Sequence, residues 1–277
     1  MSRGAVGRAR AALSLRARHA TTWLFFEESA ALRRVGLAGM PNGSRVWYLF
    51  TCGIAILFFR IWTKWERVGL DNLPKSGGVI MVSNHLSSAD PPMLASALYP
   101  RWPKFMAKIE LLQKGFIGYL FAMCGVFPVR RFEADLGALR EAQRLLARGE
   151  IVGVLPEGHR SDTAEMNEAY PGAALIALRS GAPVLPVAIT GSQELRKGWG
   201  VFFQRPRMRV VFGEPFRISH EGATNRDVVE AAHTRIMREI AGRLPAAYRG
   251  VYRERFPDLP DEALLHVPAA GGAEAAP

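Results

Sequence analysis

The sequence predicts an α/β domain with a central, mostly parallel sheet flanked by helices, preceded by an apolar membrane-associating helix near the N-terminus. Three observations carry this. Short, continuously apolar runs such as Val79–Val82, Ile151–Leu155 and Pro183–Ile189 alternate, from residue 70 onward, with stretches of helical character. Uninterrupted apolar strands are what a sheet covered on both faces requires. Ahead of them lies Val46–Phe59, the most apolar run in the chain.

The 277 residues suffice for one large α/β domain or two small ones. A content of 49% hydrophobic and 22% charged residues is ordinary for a folded protein. The net charge of +11 is not, and it points to an anionic partner. Residues 1–70 carry eleven Lys/Arg against three Asp/Glu, so net +8 gathers beside the apolar run. The aromatics do not interleave with a basic stripe, which argues against nucleic acid and for an anionic membrane surface. Cys52 and Cys124 form no Cys-x-x-Cys pair, and the six histidines are scattered, so no metal site is expected.

Taken in order, residues 1–43 are rich in Arg and Ala, and five arginines precede the first acid, Glu27. Such a stretch fits a disordered basic arm, an organelle transit peptide, or a start placed too early. Residues 44–68 form the membrane-associating segment. Val46–Phe59 is shorter than the roughly 20 apolar residues a spanning helix needs, so it is expected to enter the membrane or lie in its interface rather than cross it. A buried core helix is the alternative. Trp47, Tyr48 and Trp62 at its ends suit the headgroup level, with Lys64 and Arg67 just beyond.

The domain proper is expected over residues 69–250. Val79–Ser83 reads as a strand, Pro91–Tyr99 as a helix, and Phe105–Gln113 and Phe116–Cys124 as helical or irregular. Gly125–Val129 reads as a strand. Leucines at helical spacing make Ala134–Arg148 a helix that Gly149 stops. Ile151–Leu155 is a strand, and Pro171–Ser180 is a helix with Pro at its start and Gly181 past its end. Pro183–Thr190 and Met208–Phe212 are strands, and Asn225–Leu244 is an amphipathic helix. Residues 251–277 are a tail, disordered in its Ala/Gly/Pro-rich end.

Four stretches carry chemistry. In Asn84-His85-Leu86-Ser87-Ser88-Ala89-Asp90 a histidine leaves a strand and an aspartate follows five residues later. A histidine can take a proton from a hydroxyl, and a carboxylate on its far nitrogen fixes the tautomer. Asp90 before Pro91-Pro92 would equally serve as an N-cap. In Gly125–Arg131 a strand ends in Arg130 and Arg131, and guanidinium groups bind phosphate through paired hydrogen bonds. Pro156-Glu157-Gly158-His159-Arg160-Ser161 follows an apolar strand, with a glycine for a tight turn. In Ala182–Ile189, an apolar wall, Pro186 implies an edge position or a break in pairing.

In this order and at this spacing the four stretches resemble the glycerolipid acyltransferase family, and most closely the 1-acyl-glycerol-3-phosphate acyltransferases, over roughly residues 65 to 215. The chain departs from that family at His159, where Thr is usual, and at Pro128-Val129-Arg130, where Ile/Val and Asp often precede the arginine. The resemblance implies a single acyltransferase domain. It implies His85 as general base and Asp90 as the residue that holds it. Arg131, Glu157, Gly158 and Arg160 would shape the glycerol-phosphate site, and Pro186 would belong to acyl-donor binding.

It further implies transfer of an acyl group from acyl-CoA or acyl carrier protein to the free hydroxyl of lysophosphatidate, giving phosphatidate. No metal or permanent cofactor is called for. Membrane lipids are the expected partners, at the cytoplasmic face of the cell membrane. The alternatives are a different lysolipid or glycolipid acceptor, or a non-catalytic lipid-binding protein. A serine nucleophile at Ser83, Ser87 or Ser88 is a further option.

Overall fold

Serine, apolar and threonine residues set the first long element. The Ser44 hydroxyl accepts the Trp47 N–H at 3.3 Å, capping a helix that runs from Arg45 to Trp62. Thr63 closes it, its hydroxyl donating to the Phe59 carbonyl at 2.6 Å. In this computed structural model, which describes residues 30–37, 43–130, 135–198, 200–219 and 223–262, that helix is followed by alternating strands and helices. In chain order the main elements are α1 (Arg45–Trp62), β1 (Lys64–Val68), β2 (Val79–Ser83), α2 (Asp90–Ala97), β3 (Pro103–Lys108), α3 (Gly115–Met123), β4 (Phe127–Val129), α4 (Leu136–Ala147), β5 (Ile151–Val154), α5 (Gly172–Ser180), β6 (Val184–Thr190), β7 (Arg207–Phe212) and α6 (Arg226–Gly242).

The chain divides into two compact units, Met1–Ile54 with Lys104–Ala138 and Ala55–Pro103 with Leu139–Pro277. In the first, β3 and β4 pair in parallel, Met106 opposite Phe127. The Ser44 N–H donates to the Met123 carbonyl at 2.9 Å, tying the start of α1 to the end of α3. A helical turn at Ala30–Arg34 buries Ala31 and Leu32, and Arg34 pairs with Asp135 at 3.2 Å.

The second unit holds five strands in the order β1-β7-β6-β2-β5. Three of the four pairings are parallel, and only β6–β7 is antiparallel. All five residues of β2 are buried, on both parities of the strand, so both of its faces are covered, as its unbroken apolar sequence requires. α5 and α6 pack over it and over β6. α5 ends at Gly181, whose φ of +62° closes the helix in the left-handed conformation that favours glycine. α6 starts at Asn225, whose side-chain oxygen accepts the Val228 N–H at 2.9 Å.

Several expectations are corrected. Lys64–Val68, placed in the membrane segment, is strand β1 paired with β7. Its polar, largely exposed residues, Lys64, Glu66 and Arg67, hide it from a reading that looks for continuous apolar runs. Phe105–Gln113, expected to be helical or irregular, begins as β3 and becomes helical only at Ile109. Pro186 is not at an edge, because β6 lies between β7 and β2. The ladder to β7 stops at Val187–Phe212, and beyond it the Gly213 N–H donates to the Pro186 carbonyl. The break in pairing thus falls where the proline has no N–H to offer. Residues 251–262, placed in the tail, are tied to the domain: Tyr252 is buried and its hydroxyl accepts the Ala169 N–H at 3.1 Å. Most of the 1–43 arm and the Ala/Gly/Pro-rich end lie outside the described residues.

α1 is longer than its apolar run suggested. By length and composition it could cross a membrane. Val46, Phe50, Ile54, Leu57 and Ile61 follow one another at helical spacing and are 50% to 60% exposed, while Tyr48, Cys52 and Phe59 are buried.

Candidate active site

The site is built where β2, β5 and β6 end, at the carboxyl edge where ligands gather in open α/β sheets. β2 stops at Ser83. The next residue, Asn84, is fully buried, and its side chain acts as a substitute peptide: it donates to the Ile189 carbonyl at 2.9 Å and accepts the Ile189 N–H at 2.8 Å. The ladder to β6 is therefore completed by a side chain while the main chain turns away. That turn presents His85.

His85 Nδ1 lies 2.9 Å from Asp90 Oδ2. The imidazole is 15% exposed and the carboxylate 0%. The same oxygen accepts the N–H groups of Leu86 at 2.6 Å and Ser87 at 2.7 Å. With this oxygen already accepting two backbone N–H groups, Nδ1 is the nitrogen that donates to it and Nε2 is left with its lone pair. The N-cap expectation for Asp90 is corrected. Asp90 is the first residue of α2, and its carboxylate turns back to the loop rather than forward to the helix. The physical reason is in the sequence: Pro91 and Pro92 have no N–H to be capped.

The main chain of His85 is held from a second direction. Its N–H donates to Glu157 Oε1 at 2.9 Å, and its carbonyl accepts the Ser161 N–H at 2.9 Å. Both partners lie in the turn after β5. Gly158 has φ +71°, so glycine suits the reversal between them. Glu157 is fully buried, and its Oε2 accepts the backbone and side-chain N–H groups of Asn167 at 2.8 and 3.1 Å. Burial pushes its carboxyl up to about 7; the three N–H donors pull the other way, and the nearby Asp90 charge adds to the rise. Arg196 completes the frame by donating to the Ser161 carbonyl at 2.5 Å.

Arg160 is exposed and donates to the Ser88 hydroxyl at 2.8 Å, which brings its guanidinium to the His85–Asp90 loop. Pro186 sits in β6 opposite Val82, a few residues short of that loop. Arg131 lies outside the described residues. Ser83 donates to the Asn84 carbonyl, Ser87 accepts the Ala89 N–H, and Ser88 accepts from Arg160. Among the described residues no serine hydroxyl is hydrogen-bonded to His85, so its free nitrogen is available to an incoming hydroxyl. No group of three or more metal-ligating side chains occurs among the described residues.

The supporting roles of Asn84, Asn167, Ser161 and Arg196 escape a sequence reading. Asn84 at a strand exit carries a weak signal, since a short amide side chain often replaces backbone partners there. Asn167 and Arg196 carry none, because their partners are ten and 35 residues away in irregular chain.

Comparison with known proteins gives a consistent picture. A family model described as Acyltransferase matches residues 64–190, a span that contains His85, Asp90, Glu157, Gly158, Arg160 and Pro186. A 1-acyl-sn-glycerol-3-phosphate acyltransferase from Streptococcus pneumoniae is 30% identical over 204 residues, covering 72% of this chain and 74% of the relative. A Bacillus subtilis protein of the same name is 32% identical over 145 residues, covering 52% of this chain and 70% of its own length. Among solved structures, the 1-acyl-sn-glycerophosphate acyltransferase PlsC from Thermotoga maritima superimposes with a TM-score of 0.52 at 23% identity, covering 70% of this chain and 78% of that one.

Proposed function

Because the chain belongs to the acyltransferase family and acts as a glycerolipid O-acyltransferase, we propose that its acceptor is 1-acyl-glycerol-3-phosphate and its donor an acyl thioester, acyl-CoA or acyl carrier protein. The product is phosphatidate. The observation that carries this reading is the His85–Asp90 pair at 2.9 Å, with Nδ1 committed to the carboxylate and, among the described residues, no serine hydroxyl hydrogen-bonded to the ring.

In this reaction the acceptor hydroxyl approaches His85 Nε2 and gives up its proton as its oxygen attacks the thioester carbonyl. Asp90 stabilises the imidazolium that forms. The tetrahedral adduct collapses, the C–S bond breaks, and the proton on His85 passes to the departing thiolate. An ester and a thiol result, with no change of oxidation state. Arg160 binds the acceptor phosphate, and Glu157 and Gly158 keep the His85 loop and Arg160 in register. Pro186 and the apolar β6 around it belong to the acyl-donor side. The exposed apolar face of α1 sits in the membrane, at its cytoplasmic face, where the acceptor resides.

The test is a transfer assay on membranes carrying the protein, with labelled acyl-CoA and acyl carrier protein thioester against a panel of lysolipids. Transfer to lysophosphatidate above lysophosphatidylcholine, lost in His85→Ala, is the expected result. Thioester consumption that does not depend on any lysolipid would identify a hydrolase instead.

A further inference from the structure

A second feature of the 55–103 and 139–277 unit has no part in the chemistry above. β1 and β7 run in parallel with Lys64 opposite Arg207 and Glu66 opposite Arg209, and Thr190 of β6 is the antiparallel partner of Arg209. Registered partners and alternate residues share a sheet face, so these side chains form one polar patch. With Arg60, Thr63, Trp65, Arg205 and Met208 they line a concave pocket of about 600 Å³.

Five of its residues are cationic and one is acidic. Glu66 is engaged by Arg209 at 3.4 Å. Arg205 donates to the carbonyls of Arg60 and Thr63 at 3.0 and 3.3 Å, pinning the 203–207 turn to the end of α1. It does so at φ +48°, a conformation a side-chain-bearing residue rarely adopts. Arg60, Lys64 and Arg207 have no carboxylate partner among the described residues. Trp65 carries a buried indole N–H without an acceptor.

The surroundings identify the partner. Leu57, Ile61 and Trp62 of α1 are exposed within a turn and a half of Arg60, and the Trp62 ring meets Phe203 edge-on at 6.5 Å. Phe203 is 84% exposed. A cationic concavity bordered by exposed aliphatic and aromatic side chains matches a molecule with an anionic head on an apolar body. A soluble phosphate would have no use for the apolar border, and an acidic protein would not need the pocket.

We propose that this pocket binds the phosphate headgroup of an anionic membrane phospholipid, which docks the end of α1 at the bilayer surface. The assignment rests on α1 lying in the membrane and not on the acyl-transfer chemistry, because none of the lining residues belongs to the His85–Asp90 site. Two free guanidinium groups carry the headgroup, and Lys64 adds a third charge. Basic residues on a sheet edge can also serve only to repel other strands, and the test separates the two roles.

The experiment is flotation of the full chain, delivered from neutral detergent, with vesicles of phosphatidylcholine alone or doped with phosphatidylglycerol at fixed ionic strength. The wild type should prefer the doped vesicles. Arg60→Gln with Arg207→Gln should lose about thirtyfold in affinity for doped vesicles and nothing for neutral ones. A charge-matched pair on exposed residues elsewhere, Lys75→Gln with Arg226→Gln, should keep the preference. Turnover of detergent-dispersed substrate by the pocket variant should equal that of the wild type, which shows that it is folded. His85→Ala should bind vesicles normally, so loss of activity and loss of docking are read separately. Equal loss in both double variants would reduce the effect to net charge and overturn the proposal. So would an unchanged preference in the pocket variant, or its self-association without any change in lipid binding. A wild type that binds neither vesicle would remove the membrane premise as well.

Discussion

Glu157 Oε1 accepts the backbone N–H of His85 at 2.9 Å across 72 residues of sequence. A carboxylate that has the wrong charge for a phosphate site is thus turned inward and fixes the main chain of His85. Its own position is set by Asn167, and the whole turn is closed by the Ser161 N–H on the His85 carbonyl. The His85 loop is thus held from within by Asp90 and from its neighbour by the turn after β5.

That buried carboxyl gives the protein a pH-dependent stability with a defined sign. Burial raises the Glu157 pKa from 4.5 to about 7. A raised acid binds its proton more tightly in the folded state, so its contribution is fully present below pH 4.5 and is lost as pH rises to about 7. The loss is roughly 3 kcal/mol. Thermal unfolding of the wild type and Glu157→Gln across this range should show the wild type losing ground as pH rises and the difference levelling off above 7. A wild type that gains on Glu157→Gln as pH rises through this range would contradict the account.

Asp90→Asn separates charge from geometry. One oxygen, Oδ2, already serves His85, Leu86 and Ser87, while Oδ1 is buried without a partner. An asparagine oxygen in the same place can keep all three hydrogen bonds and lose only the charge. The expected outcome is near-native folding with turnover reduced about 10³- to 10⁴-fold, the scale on which a histidine deprived of its carboxylate fails. Full turnover in the purified variant would reduce Asp90 to a loop-fixing residue.

Arg160→Lys should raise KM for the phosphorylated acceptor about tenfold and leave kcat nearly unchanged, because a lysine keeps the charge and loses the paired hydrogen bonds. Steady-state kinetics with each substrate varied in turn checks this. An effect confined to the acyl thioester would move Arg160 to the donor side.

Asn84→Ala removes the stand-in peptide and leaves the N–H and carbonyl of Ile189 unpaired in a fully buried place. A loss of about 2–4 kcal/mol is expected from denaturant unfolding. Stability equal to wild type in Asn84→Ala would show that Ile189 finds other partners.

Gly158→Ala places a β-carbon at φ +71°, which costs about 1–2 kcal/mol. Since the same turn carries Glu157 and Ser161, turnover should fall together with Tm. A drop in Tm with undiminished turnover would show that His85 does not depend on this turn.

By itself the sequence determined the periodicities and the chemistry-bearing residue types. Continuous apolar runs locate β2, β5 and β6 because a strand buried on both faces is filled mainly by apolar side chains. Pro at the start and Gly181 past the end mark α5, because φ preferences are local. His85, Asp90, Glu157 and Arg160 stand out because each follows such a strand. Tertiary structure alone decided what those residues touch. β1 stayed hidden because most of its residues are polar and exposed and its partner β7 lies far along the chain. Asp90 turns to the loop and not to its helix, and Glu157 turns to His85 and not to solvent. These choices depend on which buried N–H groups lack a partner when the elements meet, a three-dimensional condition that periodicity does not record. Pro186 shows the division in one residue: its chemistry announces a gap in a ladder, and only the pairing of β6 with its two neighbours says where the gap can be tolerated.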